Sequence, residues 1–226
     1  MTTAAEGKGL TLAFGPTLVL GGVDIAIEAG EVVALLGPSG SGKSTLLHCL
    51  AGLIRPDSGE VFLEGTRLDT QSERARSDRR LRRIGFVFQN GDLVPELTLR
   101  ENVELPLWLA GAPRSTVRHR ARDLLRRLDI DAVADRRAME VSGGQHQRAA
   151  VARALAHTPA VVLADEPTGS LDTLSGEVVM DALVGAATEQ GSAVLVVTHS
   201  HRIASYAARE VVLRDGQVVG SDRVVA

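Results

Sequence analysis

Short, uninterrupted apolar runs alternate along this chain with longer stretches in which apolar residues recur at helical spacing. Residues 32–36, 161–164 and 193–197 are entirely apolar and of strand length, the pattern of strands buried on both faces. The runs predict strands over 10–14, 23–27, 31–36, 59–64, 84–88, 160–165, 193–198 and 210–221. The last folds back as a hairpin at Asp215-Gly216, a dipeptide that accepts the positive φ of a tight turn. Between Gln89 and Ser142 the strand signal stops and helical periodicity replaces it. It is clearest over 113–128, where Val117, Ala121, Leu124, Leu125 and Leu128 share one face. The opposite face carries Arg114, Arg118, Arg122 and Arg126 and reads as solvated rather than nucleic-acid-binding. Strands alternating with helices predict an α/β protein, with a helical subdomain inserted over approximately 90–140. Residues 70–83, with Arg74, Arg76, Arg79, Arg80, Arg82 and Arg83, read as a polar surface connector.

Length and charge narrow this picture. At 226 residues the chain, 1–226, fits one α/β domain carrying a subdomain. A formal charge of −3 supplies no electrostatic footprint for nucleic acid. The lone Cys49 lies among Leu46, Leu47, Leu50 and Ala51 and reads as core in a reducing compartment. No apolar run approaches the roughly 20 residues that span a bilayer, and the first residues lack a charged-then-apolar export signal. The expected location is therefore cytoplasmic, with any membrane work left to a partner.

The chemistry begins at residues 37–45. Gly37, Pro38, Ser39, Gly40, Ser41, Gly42, Lys43, Ser44 and Thr45 complete G-x-x-x-x-G-K-[ST] directly after the apolar run 32–36. Glycines there let the backbone curl so that successive N–H groups point at phosphate oxygens. Lys43 then reaches the β- and γ-phosphates, the Ser44 hydroxyl ligates Mg²⁺, and the following helix adds its positive dipole end. Only Lys8 and Lys43 are lysines in a chain otherwise furnished with arginine. Downstream, the apolar run 161–164 ends in Asp165-Glu166. Neighbouring side chains on a strand point to opposite sides, so Asp165 can serve Mg²⁺ while Glu166 polarises the attacking water. Ser142, Gly143, Gly144 and Gln145 open a further helix, a second N-terminus suited to an anion or simply a capped helix start.

Together these three segments make the chain resemble the nucleotide-binding subunit of an ATP-binding cassette (ABC) transporter, from about Leu10 to about Gly220. The resemblance implies a P-loop NTPase core, RecA-like with a mixed sheet, joined to an antiparallel β part and the inserted α-helical subdomain. It implies ATP and Mg²⁺ as cofactors, ATP hydrolysis, and a head-to-tail dimer of two copies closing around two ATP. In that dimer Ser142, Gly143, Gly144 and Gln145 of one copy meet the nucleotide of the other. Gln89 matches the glutamine that contacts Mg²⁺ and reports nucleotide state. His199 matches the histidine at the γ-phosphate. Asp172, in Ser170-Leu171-Asp172, matches the loop that pairs across the dimer, with a helix cap as the plainer reading. Phe14 stands near the adenine-stacking aromatic, with plain core as its alternative. Val141 and Phe14 replace the more usual Leu and Tyr.

A narrower resemblance runs through residues 85–107 to the ATPases of lipoprotein release, macrolide export and cell division. It implies an integral membrane permease with a large extracellular domain and a peripheral position on the inner face of the membrane, while the charge balance leaves no nucleic-acid partner expected. Export or extraction is the leading expectation; a signalling ATPase driving a non-transporting membrane partner and a soluble ABC protein of translation or DNA repair are the alternatives. Leu93, Val94, Leu97, Leu105, Leu107 and Trp108 are more apolar than a surface connection requires. They read as a partner contact, with subdomain core as the competing explanation.

Overall fold

The computed structural model describes residues 2–223, so residues 1 and 224–226 of the expected 1–226 domain lie outside the described residues. Chain order runs β1 (Thr3–Phe14), β2 (Thr17–Glu28), β3 (Val32–Leu36), α1 (Lys43–Leu50), β4 (Ser58–Leu63), β5 (Thr66–Arg67), α2 (Glu73–Arg83) and β6 (Ile84–Val87). Then come α3 (Leu99–Leu109), α4 (Arg114–Arg127), two single 3-10 turns, α5 (Gly143–Leu155), β7 (Val161–Asp165), α6 (Thr173–Gln190), β8 (Ala193–Val197), α7 (His201–Ala204), β9 (Arg209–Arg214) and β10 (Gln217–Arg223). No helix among the described residues is long and apolar enough to cross a membrane.

The strands form two sheets, one ordered β2-β1-β4-β5 and antiparallel, the other ordered β10-β9-β3-β8-β7-β6. The second is mixed: β9, β3, β8, β7 and β6 run parallel and β10 closes it antiparallel. Its central strands are fully apolar because both faces are covered. Val33, Leu35, Val161, Leu163, Leu195 and Val197 join a core with α1 and the antiparallel sheet. Their neighbours Val32, Ala34, Val162, Ala164, Val194 and Val196 join the core built by α3, α4, α5 and α6. The period of two along each strand thus sorts residues into two cores.

Several expectations change. The first strands are longer than 10–14 and 23–27, because Gly7 and Gly9 interrupt the apolar alternation of β1 while its pairing with β2 resumes beyond a register shift between Gly7 and Leu10. The connector expected over 70–83 is mostly helix α2, capped by Ser72, whose Oγ accepts from the Ala75 N–H. Glu73 in its first turn and Arg80, Arg82 and Arg83 in its last suit the helix dipole. With almost no apolar face, it gave the periodicity nothing to register. The hairpin joining β9 to β10 turns at Asp215 and Gly216, both at positive φ, 49° and 74°. Cys49 is buried, and burial pushes its thiol up to about 12.

One close approach sets where α5 lies. A Cβ on Gly85 of β6 would stand 2.4 Å from the Ala154 carbonyl oxygen, so only glycine lets α5 sit this near the sheet. Gly85→Ala is expected to cost about 1–3 kcal/mol of stability, read as a lower Tm; an unchanged Tm would mean that α5 has room to move.

Candidate nucleotide-binding site

The parallel strands deliver the expected chemistry to one rim, beyond the carboxyl ends of β3, β7 and β8, where open α/β sheets bind ligands. Between β3 and α1 the chain curls through residues 37–42. Gly37 has φ 151° and its Cβ would fall 2.1 Å from the Leu213 carbonyl oxygen. Gly42, at φ 101°, would meet the Val19 carbonyl oxygen at 2.7 Å. Both positions exclude a side chain, and together they press the loop against β9 and β2. Lys43 opens α1, is buried, and donates through Nζ to the carbonyls of Gly37 at 2.9 Å and Pro38 at 2.8 Å. Ser41 Oγ is buried with no hydrogen-bond partner among the described residues, a donor that the loop itself leaves unused.

This loop floors a cleft of about 670 Å³. Gly37, Ser39, Gly40, Gly42, Lys43, Ser44 and Thr45 line it from below, Gln89, Asp165, Glu166 and His199 from one side, and Phe14 with Val19 from the other. Phe14 is 54% exposed, which excludes the core reading and leaves its ring free at the rim. Pro38 and Ser41 belong to the loop without lining the cleft.

Asp165 ends β7, paired in register with Val197. At Glu166 the chain turns with φ 46°, a conformation that costs on the order of 1 kcal/mol or more for a residue with a side chain and concentrates at functional sites. The turn is fixed on both sides, by the Glu166 N–H donating to the Val197 carbonyl and the Gly169 N–H donating to the Glu166 carbonyl, each at 3.0 Å. The Glu166 carboxylate meets His199 Nδ1 at 2.9 Å. His199, 74% exposed at its side chain, lines the cleft.

Among the groups lining this cleft, the Ser44 hydroxyl, the Gln89 carboxamide and the Asp165 and Glu166 carboxylates are oxygen donors. Among the described residues no cluster of three or more His, Cys, Asp or Glu is placed to hold a metal. Oxygen donors of this kind, with few carboxylates among them, fit Mg²⁺, a hard cation usually held by one or two carboxylates together with water and phosphate.

The remaining expected residues lie elsewhere. Ser142 caps α5: its Oγ accepts from the Gln145 N–H at 3.3 Å, and Gln145 Oε1 accepts from the Ser142 N–H at 3.1 Å. The Ser142 hydroxyl proton is still free to donate. Ser142, Gly143, Gly144 and Gln145 do not line the cleft, and a Cβ on Gly143 would lie 3.3 Å from Leu171. Asp172 caps α6, accepting from the Ser175 N–H at 3.0 Å and the Ser175 hydroxyl at 2.6 Å, bonds that hold its carboxyl below the usual range.

The apolar segment after Gln89 divides differently from its expected role. Leu93 and Leu107 are buried core, Val94 and Leu97 are half-buried, and only Trp108 of the six expected contact residues is well exposed, beside Leu109 at 65%. A separate groove of about 320 Å³ lies instead between β6 and α3, lined by Phe86, Phe88, Leu105, Pro106 and Leu109 with Arg153 and Asp92 at its polar edge. The Phe86 and Phe88 rings stack at 4.3 Å. Their spacing of two along a strand, which puts both on one face, was the signal that could have marked this groove.

Comparison with known proteins agrees with this geometry. The ABC transporter family profile matches residues 20–169. The lipoprotein-releasing system ATP-binding protein LolD 2 of Caulobacter vibrioides is 48% identical over 200 residues, 88% of each chain. LolD of Paramagnetospirillum magneticum is 45% identical over 201 residues, 89% of each. A dimeric structure of the ATP-binding cassette MJ0796, in a post-hydrolysis state bound to ADP and Pi, superposes with TM-score 0.89 at 36% identity, covering 98% of this chain and 99% of that one. With a phosphate loop, an acidic strand end and a capped glycine helix start set in a fold shared over nearly the whole length, this chain belongs to the ABC transporter family and is one of its ATP-binding, ATP-hydrolysing subunits.

Proposed function

We propose that two copies of this chain close head-to-tail around two ATP and drive a membrane permease of the lipoprotein-release and macrolide-export type, in export or extraction. The observation that carries this reading is a separation. Lys43, Ser44, Gln89, Asp165, Glu166 and His199 share one cleft, whereas Ser142–Gln145 open a different helix outside it. A helix N-terminus with a free hydroxyl proton and two glycines suits a phosphate, and a second copy can bring one to it. The dimeric solved relative bound to ADP and Pi supports the same assembly.

In this reading the chain is one domain, with residues 90–140 as its helical subdomain. The loop N–H groups and Lys43 bind the β- and γ-phosphates, and Phe14 stacks on adenine. Ser44, Asp165 and Gln89 hold Mg²⁺, which when bound supplies charge neutralisation at the phosphates. Glu166, oriented by His199, takes the proton of the attacking water. Asp172 sits at the dimer seam. The apolar groove at Phe86, Phe88 and Leu109 receives the permease, which places the chain on the inner membrane face; the similarity to LolD proteins supports that partner class.

Leu109→Glu tests the permease contact. The residue is exposed, so the variant is expected to fold and bind ATP as the wild type does. Tagged wild-type chain purified from its own membranes should retain an integral membrane protein with a large extracellular domain, and the variant should lose it. Equal retention by both would move the docking surface elsewhere.

A further inference from the structure

The turn that carries Gln89 is held by α5. Gly91 and Asp92 both have positive φ, 75° and 45°, and the Gly91 N–H closes the turn onto the Phe88 carbonyl at 3.0 Å. Three donors from α5 grip it. Gln147 Nε2 donates to the Phe88 carbonyl at 3.0 Å, Arg153 Nη2 to the Gly91 carbonyl at 2.8 Å, and Arg153 Nη1 to the Asp92 carbonyl at 2.7 Å. A Cβ on Gly91 would also fall 2.6 Å from His146 Nδ1, so the turn rests against that ring. Burial pulls Arg153 below the usual arginine range, and it forms no ion pair among the described residues. A half-buried guanidinium spent on two backbone carbonyls fixes two points of the turn at once, which a point charge does less well. The same guanidinium lines the apolar groove.

We propose that Arg153 is a positioning residue for ATP hydrolysis: its planar fork fixes the Gly91-Asp92 turn so that Gln89 points into the nucleotide cleft, and a partner entering the groove acts on Gln89 through it. This rests on Gln89 as a Mg²⁺ ligand. Relaxing the turn leaves the phosphate loop intact and moves only Gln89. The consequence is a change in Mg²⁺ requirement and kcat, with little change in nucleotide affinity. A guanidinium that served stability alone would lower Tm and leave the Mg²⁺ requirement where it was.

The full chain is assayed as wild type, Gln89→Ala, Arg153→Met and Arg153→Lys. Four quantities are measured: the Mg²⁺ concentration for half-maximal ATPase, kcat, metal-free binding of a fluorescent ATP analogue, and amide exchange over 88–92. Gln89→Ala and Arg153→Met are expected to raise the half-maximal Mg²⁺ concentration or lower kcat by about tenfold or more, the scale for losing the support of a metal ligand. Metal-free binding should stay within about twofold, and Arg153→Met should speed exchange at 88–92. Arg153→Lys, which can still reach one carbonyl, should fall between. If Arg153→Met does not fold, Arg153→Lys decides: a raised Mg²⁺ requirement supports the proposal and a wild-type one overturns it. An unchanged Mg²⁺ requirement and kcat in Arg153→Met, with Gln89→Ala impaired, overturns the positioning role alone. An unimpaired Gln89→Ala removes the metal reading of Gln89 and the proposal with it.

Discussion

Replacing Glu166 with glutamine is expected to preserve ATP binding while turnover falls by at least about 10²-fold, the scale for losing a positioned general base. Glutamine has the same length, keeps an oxygen for the His199 contact at 2.9 Å, and leaves the backbone bonds to Val197 and Gly169 untouched. The positive φ of 46° is no harder for glutamine than for glutamate, so the fold should not register the change. What disappears is the carboxylate proposed to take a proton from water. Steady-state ATPase assays beside nucleotide titrations check both halves. A variant hydrolysing at the wild-type rate would show that another group activates the water.

Lys43→Ala should act at the opposite end of the reaction. The ammonium is buried at the floor of the cleft, where no solvent ion replaces it. A hydrogen bond to a charged group is worth about 1.5–3 kcal/mol, which corresponds to roughly a 10- to 100-fold weaker ATP affinity. Ser142→Arg should behave otherwise. Its side chain lies outside its own cleft, so monomer affinity should stay near that of wild type while hydrolysis by the dimer is lost. Titrating a fluorescent nucleotide at protein concentrations too low for dimers separates the two cases. Equal loss of monomer affinity in both variants would contradict the separation of the two sites.

The legible parts of the sequence were those in which one physical requirement dominates. Buried parallel strands leave fully apolar runs, and 32–36, 161–164 and 193–197 appear in the structure as β3, β7 and β8 with ends shifted by a residue at most. The phosphate loop shows in sequence because its geometry forbids side chains, as Gly37 and Gly42 demonstrate. The acidic pair at the end of β7 and the position of His199 after β8 follow once those strands are placed. Three features stayed hidden for separate reasons. Helix α2 lacks an apolar face, so its stability rests on a cap and charge rather than on a pattern. The glycine-bearing half of β1 owes its place to pairing with β2 and β4, not to local preference. The apolar residues after Gln89 divide between core and groove according to tertiary packing: Leu93 and Leu107 turn inward, while Leu105 and Leu109 line a surface completed by Phe86 and Phe88 from another element. Arg153 shows the same limit at the site, since nothing local to an alanine-rich helix announces that its guanidinium holds a turn sixty residues upstream.

The claim on which the rest depends is that each active site is shared between two copies. It is tested most directly by mixing Lys43→Ala chains with Ser142→Arg chains, at an ATP concentration where each alone hydrolyses little, and measuring ATP hydrolysis. In a mixed dimer both lesions fall in one composite site and the other site is intact. The shared-site account predicts that activity returns in the mixture; a mixture as inactive as either parent would contradict it.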